Sequence, residues 1–423
     1  MGLYDNTRVK IWMYHVASVI LITADGEHVE IPSIRLKEMQ IIEDYEHYVL
    51  PVFRVTFILE PNIYYKILQN KDTGKIYLRI NKYFKSPNSN NMSMYREFID
   101  DMFDLILDDS TEDLLYSQKR QISEDNYLYV TKNDRNALKE VANTITFFLF
   151  RSKSIEGIKS SNANVILKNA TIADAIGYLV TKSKIDNVLF AQPDNTEIND
   201  ILLIPPLSVL KSFQHLDLYY GIYKTGSMLY FGIKYVYIIP YNGNCVAYAS
   251  GEKKKTVVLI PKTSDIYHTT TLGELYKEDE SSTYIVGDYK TLSARNESIS
   301  NNYIMGNDAD MMDAYTGESI VNLSNATTKT KNFLRLLENK TENKYLAQMY
   351  TAQTRSGSSV ISVSCQDIDI DCISPNKEYQ ILFEDTIYST KYKGKYMISS
   401  AIHTFMNTGA DMSVNCTCIF RRE

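Results

Sequence analysis

Features that mark secreted, membrane-spanning or nucleic-acid-binding proteins are scarce in this sequence. The most apolar stretch near the N-terminus, Ala17–Ile22, is far too short to span a bilayer, and no basic segment with a long apolar core is present, so we predict neither a signal peptide nor a membrane segment. The net charge of −6 argues against a nucleic-acid partner, because neutralising phosphates requires a basic surface. Cysteine is scarce too. The cysteines are odd in number and widely spread, which favours reduced, buried thiols: Cys245, Cys365, Cys372, Cys416 and Cys418.

Motifs of the common enzyme classes are missing as well. The sequence contains no Gly-x-Ser-x-Gly, no Gly-x-x-x-x-Gly-Lys-Ser/Thr and no His-Glu-x-x-His, and its six histidines are scattered. We expect His403 to be a hydrogen-bonded structural residue. Asp367, Asp369 and Asp371 alternate with isoleucines and therefore share one face of a predicted strand. Solvation of a sheet edge is favoured here over glycosidic acid–base catalysis, and cation binding by these aspartates is left open. We predict no enzymatic activity, no metal site and no cofactor.

Tyrosine, in contrast, is abundant, with 33 residues against a single tryptophan. Two explanations stay open: a coding bias, or the tolerance of tyrosine for half-burial where proteins meet proteins. Hydrophobic residues at 44% and charged residues at 23% are ordinary for a globular protein, and 423 residues suffice for two to four domains. We therefore expect a folded protein with more than one domain.

The segment Ile41–Tyr83 has the clearest structural pattern. Apolar and polar residues alternate over Val52–Leu59, which predicts a half-buried strand that Pro61 ends. Apolar pairs four residues apart then predict a short helix, which Asn70–Gly74 ends with residues that tolerate a left-handed turn. A second alternating strand is predicted over Lys75–Tyr83. The segment is thus a strand–helix–strand unit.

Strands on both sides of this unit complete a predicted barrel. Ser18–Ile22 and His28–Ile31 flank the pair Asp25-Gly26, which predicts a hairpin with a type I′ turn. Ile34–Ile42 continues as a third strand, and Asn143–Phe150 is an apolar strand that could complete the first barrel.

Residues 85–125 interrupt the strand pattern. Within Met94–Leu107, the apolar residues Phe98, Met102 and Leu105 recur at helical spacing, which predicts a helix. Aspartates cover the other side of this predicted helix: Asp100, Asp101, Asp104, Asp108 and Asp109. A solvated acidic face is favoured over a docking surface for a basic partner, and a calcium site is less favoured still, because helix-borne carboxylates rarely form a calcium cage.

A different pattern starts near residue 160. Thr171 and Asp174 have capping-box spacing and open a predicted helix over Ile172–Lys182. A second helix is predicted over Leu207–Leu216, and an aromatic-rich strand over Met228–Ile239. The buried face of the second helix is predicted to consist of Leu207, Leu210 and Phe213. Another strand is predicted over Lys255–Ile260.

A polar connector follows, with a predicted helix over Lys329–Leu337, before strand patterns return. The predicted strands are Ala347–Thr354, Val360–Cys365, Gln380–Phe383, Lys395–Met406 and Met412–Arg421. In the last of them, one face is predicted to carry Met412, Val414, Cys416, Cys418 and Phe420.

The predicted fold is therefore mainly β with an α+β part, in which two small β-barrels bracket an α+β middle domain. The predicted bounds are 1–155 for the first barrel with a helical acidic insertion at 85–125, 160–290 for the middle domain, 291–345 for the connector and 346–423 for the second barrel.

Three segments are specific in combination: IIEDYEHYVLPVFRVTFILEPNIYYKIL, LLIPPLSVLKSFQHLDLYYGIYKTGSMLYF and YKGKYMISSAIHTFMNTGADMSVNCTCIFRR. Together they resemble the baseplate hub protein of contractile-tailed phages, and the hub portion of type VI secretion spikes. They touch all three predicted domains and cover about half of the chain. None of them is a catalytic motif, so the resemblance is one of architecture.

The resemblance implies a structural virion protein of the tail baseplate, assembled in the host cytoplasm. It implies a homotrimer in which two similar, separate barrels per subunit give a pseudo-six-fold ring, matching a six-fold tail tube to a three-fold spike. The implied partners are tail tube or tube-initiator proteins, the central spike protein and baseplate wedge proteins. The alternative is a tail-associated cell-wall hydrolase or glycan-binding protein. The residues predicted to form partner interfaces are Arg54, Thr56, Tyr77, Arg79, Tyr83, His403, Phe405 and Arg421.

Overall fold

The computed structural model describes residues 11–45, 48–60, 63–64, 66–67, 70, 73–85, 94–107, 143–160, 163–223, 227–240, 255–261, 282–292, 311–312, 319–321, 360–381, 392, 394–408 and 411–422. The strands with defined bounds are β1 (Ile11–Ile22), β2 (His28–Glu30), β3 (Leu36–Asp44), β4 (Val52–Leu59), β5 (Lys75–Lys85), β6 (Arg96–Leu107), β7 (Asn143–Arg151), β8 (Val165–Ala170), β9 (Val188–Phe190), β10 (Asn199–Ile204), β11 (Ser227–Phe231), β12 (Val236–Pro240), β13 (Lys255–Pro261), β14 (Ser282–Leu292), β15 (Met311–Met312), β16 (Ser319–Val321), β17 (Val360–Gln366), β18 (Lys377–Ile381), β19 (Lys395–Asn407) and β20 (Asp411–Arg422). The α-helices with defined bounds are α1 (Ser152–Lys159), α2 (Ile172–Lys182) and α3 (Val209–Tyr219).

The largest feature is a continuous sheet of 13 strands that closes on itself twice. The first closed ring is antiparallel throughout and contains eight strands, in the order β1, β5, β6, β7, β4, β3, β19 and β20, with β20 pairing back to β1. The second ring contains six strands, in the order β19, β20, β17, β14, β13 and β18, with β18 pairing back to β19. Closure leaves few strand edges unpaired.

The two barrels share one hairpin, formed by β19 and β20. Residues 400–406 of β19 pair with β3 in the first barrel, whereas Lys395 and Tyr396 pair with β18 in the second. The pairing register of β19 with β20 shifts between Ile398 and Ser400, and the Ser399 carbonyl accepts a hydrogen bond from the Tyr45 backbone amide at 3.1 Å. This irregularity lies where β19 passes from one barrel to the other. A bulge bends the strand that carries it, which suits this change of direction.

Strict alternation of side chains fills the eight-stranded barrel. In β4 the inward residues Phe53, Val55, Phe57 and Leu59 are each at most 1% exposed, while their neighbours are half-buried. The two aromatic rings Phe53 and Phe103 pack edge to face with centroids 4.8 Å apart. Burial of apolar side chains of this size contributes roughly 1.5–3 kcal/mol each, so this interior is a main source of stability.

The α+β part contains two small sheets covered by the three helices. β8 pairs with β10, and β9, β12 and β11 form a second, three-stranded sheet. Its apolar interior is continuous with that of the six-stranded barrel, and Tyr45 contacts Tyr230 across the junction with ring centroids 4.8 Å apart. Among the described residues, no helix is long and apolar enough to cross a membrane.

Many predicted elements are confirmed. The strand predicted at Val52–Leu59 has those bounds, and the strands predicted at Lys75–Tyr83 and Asn143–Phe150 are extended by two residues and one residue. Helix α2 has its predicted bounds and begins with the predicted Thr171–Asp174 capping box. The predicted face of the last strand is buried as expected, with its five residues at most 1% exposed: Met412, Val414, Cys416, Cys418 and Phe420.

The helix predicted within Met94–Leu107 is wrong, because Arg96–Leu107 is strand β6. Phe103 and Leu105 face the barrel interior at period two. The aspartates of this strand lie against basic neighbours on adjoining strands, with Arg151 Nη2 at 2.7 Å from Asp101 Oδ2. Cross-strand pairing therefore overrode the local helical spacing. Asp108, Asp109 and the rest of the predicted insertion to residue 125 lie outside the described residues.

The predicted domain bounds also need correction. Strand β13, predicted within the middle domain at 160–290, is part of the six-stranded barrel. So is β14, which begins inside those bounds and was not predicted as a strand. The two barrels were predicted to be separate and alike, but they are joined in one sheet and differ in strand number. Both differences arise from pairings between strands far apart in sequence, such as β13 with β18. The connector at 291–345, with its predicted helix Lys329–Leu337, and the strand Ala347–Thr354 fall mostly or wholly outside the described residues.

Three local predictions are wrong. The first hairpin turns at Ala24-Asp25, where the Gly26 amide donates to the Thr23 carbonyl at 3.0 Å; only Gly26 has a positive φ (85°), so the turn is not type I′. The strand predicted over Met228–Ile239 is two strands, β11 and β12, joined by a turn. Finally, Leu207 precedes helix α3 and is 38% exposed.

Candidate functional site

The residues predicted to form partner interfaces do not lie on one surface. Tyr83, His403 and Phe405 are 0% exposed and belong to the interior of the chain. The Tyr83 hydroxyl donates to Asp411 Oδ2 at 2.6 Å, and the Phe405 ring packs against Tyr14 with centroids 4.9 Å apart. These three side chains have no exposed surface to offer a partner.

The remaining predicted residues lie on the outside of the barrels. Thr56 Oγ1 is 3.1 Å from Thr146 Oγ1, and the hydroxyl of Tyr77 donates to the Asp100 carboxylate. Arg79 Nε is 3.6 Å from Asp100 Oδ2. Outward residues of the eight-stranded barrel thus form polar pairs across neighbouring strands. Arg54 belongs to the same outward-facing set on β4. Arg421 lies on β20, where this strand pairs with β17.

His403 makes the hydrogen bond that the sequence predicted. Its Nε2 is 3.1 Å from Glu43 Oε2, and the Glu43 side chain is only 8% exposed. The pair spans β19 and β3, close to the bulge where the barrels join. The hydrogen bond gives His403 Nε2 and the buried Glu43 carboxylate a partner, while His403 Nδ1 is buried without one among the described residues. The pair joins β19 of the shared hairpin to β3.

A buried lysine connects three parts of the fold. Lys82 of β5 is 3% exposed, and its Nζ lies 2.5 Å from Asp369 Oδ1 and also contacts the carboxylate of Asp371. Lys234, in the turn between β11 and β12, contacts Asp371 as well. The ring of Trp12 lies 5.1 Å below the Lys82 ammonium. The network therefore links the eight-stranded barrel, the β17–β18 connection and the α+β part.

Both charged forms are favoured in this network. Burial alone would lower the pKa of Lys82, but the charges of Asp371 and Asp369 reverse this effect and raise it. Burial alone would likewise raise the pKa of Asp371, but Lys82 and Lys234 lower it below its ordinary value. The network is thus a set of ion pairs rather than neutral groups.

The three aspartates predicted to share a strand face do not do so. Asp367 has a positive φ of 51°, and a 3-10 helix covers Ile370–Cys372, so the strand ends before them. Asp369 caps that helix through the Asp371 amide at 3.2 Å. Because Asp369 and Asp371 are paired with lysines, they do not form an exposed acidic edge. No group of three or more His, Cys, Asp or Glu in the described part of the chain could hold a metal ion.

Neither Lys82 nor Glu43 was predicted from the sequence as a functional residue, although the position of Lys82 in its strand indicates that its side chain is buried. It continues the inward series Ile76, Leu78 and Ile80 of β5, and a lysine at an inward position requires a buried partner. No such pattern identifies Lys234, whose role depends on a distant part of the chain.

The fold and this junction define a mainly β protein with two fused barrels and an α+β part. Its sequence matches the family model of the bacteriophage PBS1 gene 109 protein over residues 5–423, so the chain belongs to that family. The phage resemblance drawn from the sequence is thereby confirmed. No curated protein matches the chain.

Several solved structures are similar to this chain over most of its length. A tail protein from Neisseria meningitidis MC58 is 10% identical with a TM-score of 0.41, and the match covers 97% of this chain and 96% of that one. The 43 kDa tail protein of prophage MuSo2 from Shewanella oneidensis is 11% identical with a TM-score of 0.44, covering 95% and 97%. A type VI secretion component of E. coli, described as similar to T4 tail proteins gp27 and gp5, is 7% identical with a TM-score of 0.40, covering 97% and 76%.

Proposed function

We propose that this protein is a structural component of a phage tail that forms the trimeric hub of a contractile baseplate. Membership of a bacteriophage family supports a virion role. The observation that carries the hub role is the shared hairpin of β19 and β20, through which two closed barrels lie side by side in one sheet. Such a unit can build a ring whose interfaces repeat by a fixed rotation.

The adaptor role is the finer part of the proposal. Three copies, each with two barrels, would present six barrels to a six-fold tail tube and three-fold symmetry to a central spike, with wedge proteins as further partners. Because one barrel of each subunit has eight strands and the other has six, eight-stranded and six-stranded barrels would alternate around the ring. We expect no enzymatic activity, and assembly in the host cytoplasm.

The decisive experiment is to determine the symmetry of the purified protein by light scattering and electron cryomicroscopy. We expect a particle with three times the mass of the chain and a ring of six barrels. A protein that stays monomeric at high concentration, or a ring with two-fold symmetry, would contradict the hub role. A trimer whose barrels do not lie in one ring would contradict the adaptor role alone.

The predicted outer-wall residues allow a second test. We propose that Arg54, Thr56, Tyr77, Arg79 and Arg421 contribute to the contacts between subunits or with partners. Charge reversal by Arg54→Glu on the barrel wall should weaken trimer formation. The matched change Lys211→Glu, at an exposed position of helix α3, should leave the trimer intact. Equal behaviour of the two variants would place the interface elsewhere.

A further inference from the structure

A small cavity of about 60 Å³ lies beside the first turn of helix α1. A cavity needs roughly 10–15 Å³ of such space to hold one water molecule, so this one has room for a few waters or one small ion. Three segments of the α+β part contribute to its wall: the start of α1 within residues 151–157, the loop 184–187 that follows α2, and the turn between β11 and β12 within residues 231–236.

Cationic side chains outnumber acidic ones around this cavity. Two of the cations are held by acids of other elements, since Arg151 Nη2 lies 2.7 Å from Asp101 Oδ2 and Lys234 contacts Asp371. Neither of these acids lines the cavity. Among the described residues its wall has one acidic side chain, Asp186, and four cationic ones: Arg151, Lys153, Lys184 and Lys234.

The other two cations are available to a ligand. Lys184 is exposed and has no ion-pair partner in the described part of the chain. The Lys153 ammonium is 3.4 Å from Asp186 Oδ2, but these two side chains are 65% and 68% exposed. An exposed pair of this kind contributes little stability, so an anion in the cavity can replace Asp186 as the partner of Lys153.

The end of helix α2 fixes the position of Lys184. Ile185 N donates to the Val180 carbonyl at 3.2 Å, and Lys184 N donates to the Thr181 carbonyl at 3.3 Å, which together form a Schellman motif. Lys184 has the left-handed conformation that this motif requires, with a φ of 52°. The main chain therefore holds this lysine at the wall of the cavity.

Ser154 supplies a hydroxyl that has no partner. The residue is 7% exposed and lines the cavity, and its hydroxyl makes no hydrogen bond to any described residue. Its Oγ keeps accessible surface, whereas Ser183 Oγ is closed off from solvent without a partner. Because a polar group without a partner is costly in a largely buried position, a ligand that accepts from Ser154 removes that cost.

The start of helix α1 adds partial positive charge near the same place. Its N-cap residue, Arg151, makes no side-chain cap, and its first turn contains no acidic residue. The amide dipoles of a helix favour negative charge at this end. Asp104 reaches this turn through a 2.7 Å hydrogen bond from Ser152 Oγ, but it does not line the cavity.

We propose that this cavity binds a phosphate-type oxyanion, either inorganic phosphate or the phosphoryl group of a larger molecule. Ser154 Oγ donates one hydrogen bond, and the ammonium groups of Lys153 and Lys184 donate charge-assisted ones. A tetrahedral oxyanion has acceptor oxygens in several directions, which suits donors from helix α1 and from the loop after α2. The site does not depend on the hub function, since all of its lining residues belong to one chain.

The test is equilibrium dialysis of the full-length protein against radiolabelled inorganic phosphate at low ionic strength. We expect saturable binding that sulfate displaces and that chloride at the same ionic strength does not. No bound phosphate, or equal displacement by chloride, would overturn the proposal. Competition by phenyl phosphate supports a phosphoryl group of a larger molecule as the ligand, whereas phosphate binding that phenyl phosphate leaves unchanged supports the free ion.

Two variants assign the binding to this cavity. Ser154→Ala should weaken phosphate binding about tenfold, because a hydrogen bond to a charged group is lost, and Lys184→Gln about threefold to tenfold. Without phosphate, Ser154→Ala should keep the midpoint of thermal unfolding, since the hydroxyl that it removes has no partner.

The matched change Lys182→Gln removes another exposed lysine at the end of α2, one that does not line the cavity, and should leave phosphate affinity unchanged. Equal losses of affinity for Lys184→Gln and Lys182→Gln would mean that the anion responds only to the overall charge of this surface. That result, or full affinity in Ser154→Ala, would overturn the assignment of the site.

Discussion

Lys82 illustrates what single residues contribute to this fold. It is an ammonium at an inward-facing position of β5, held by two carboxylates from a segment nearly 300 residues later in the chain. The sequence is enough to place the Lys82 side chain on the inward face of β5, because inward and outward residues alternate along a strand. Its partners could not, since nothing near residue 82 indicates which distant carboxylates approach it. The same limit applies to Glu43 and His403.

We predict that Lys82→Met lowers the free energy of unfolding by about 2–4 kcal/mol, somewhat less than for a fully buried pair because Asp369 and Asp371 keep some exposure. Urea unfolding followed by circular dichroism measures this difference. The matched change Lys66→Met breaks an exposed pair with Glu27 and should cost under about 1 kcal/mol. Similar losses of unfolding free energy for both variants would show that the buried ion pairs of Lys82 stabilise the fold no more than an exposed pair does.

The lowered pKa of Asp371 predicts a defined pH dependence. A carboxyl group whose pKa is lowered by folding stabilises the protein above its ordinary pKa of about 4, and this contribution disappears as the pH falls through the lower, folded value. Asp371→Asn should therefore lower the free energy of unfolding more at neutral pH than at about pH 2. Unfolding free energies of both proteins across this range test the sign. A difference that grows on acidification would contradict the ion-pair description.

At the scale of elements, local sequence chemistry predicted the segments whose neighbours agree with it. Helix α2 has its predicted bounds because its capping box and apolar stripe point to the same structure. Strand β6 was missed because Phe98, Met102 and Leu105 also satisfy helical spacing, and only the strands β5 and β7 on either side decide between the two periods. The turn at Ala24-Asp25 was misassigned by one residue, a shift that dipeptide preference does not resolve.

Two glycines allow opposite predictions for the same substitution. Gly26 has a φ of 85° with open space around its Cβ position, so Gly26→Ala should cost about 1–2 kcal/mol through backbone strain alone. Gly177 lies in the middle of α2, also with open space, so Gly177→Ala should stabilise by roughly 0.5–1 kcal/mol. Thermal unfolding of both variants checks the signs. Destabilisation by Gly177→Ala would contradict the assignment of α2 as a regular helix.

At the scale of the whole molecule, the sequence predicted two barrels but not how they are joined. Several barrel strands, such as β4 and β5, are recognised by their alternation. The assignment of β13 and β14 to the second barrel depends instead on pairing with β18 and β17. A period-two pattern does not contain this information. For the same reason the cavity beside helix α1 could not be predicted, because its walls come from three separate segments.

The shared hairpin predicts that the barrels unfold together. Val363→Ala, at a position of β17 that is 2% exposed, should cost about 2 kcal/mol in the six-stranded barrel. The only tryptophan, Trp12, lies on β1 in the eight-stranded barrel and reports on the other side of the junction.

We expect the urea midpoint from Trp12 fluorescence to shift as much as the midpoint from circular dichroism. Ile166→Ala, at a 60% exposed position of β8, should shift neither midpoint. A fluorescence midpoint that stays at the wild-type value would show that the two barrels unfold independently.

The position of β19 and β20 along the chain has a consequence during translation. The other strands of both barrels leave the ribosome first, yet neither ring has its last pair of strands until residues 395–422 have emerged. At about 5–20 residues per second, the earliest barrel strands wait several tens of seconds with unpaired edges. A nascent chain stalled before residue 395 should therefore be sensitive to protease and bind chaperones along its whole barrel region, and it should become resistant in one step once the hairpin is free.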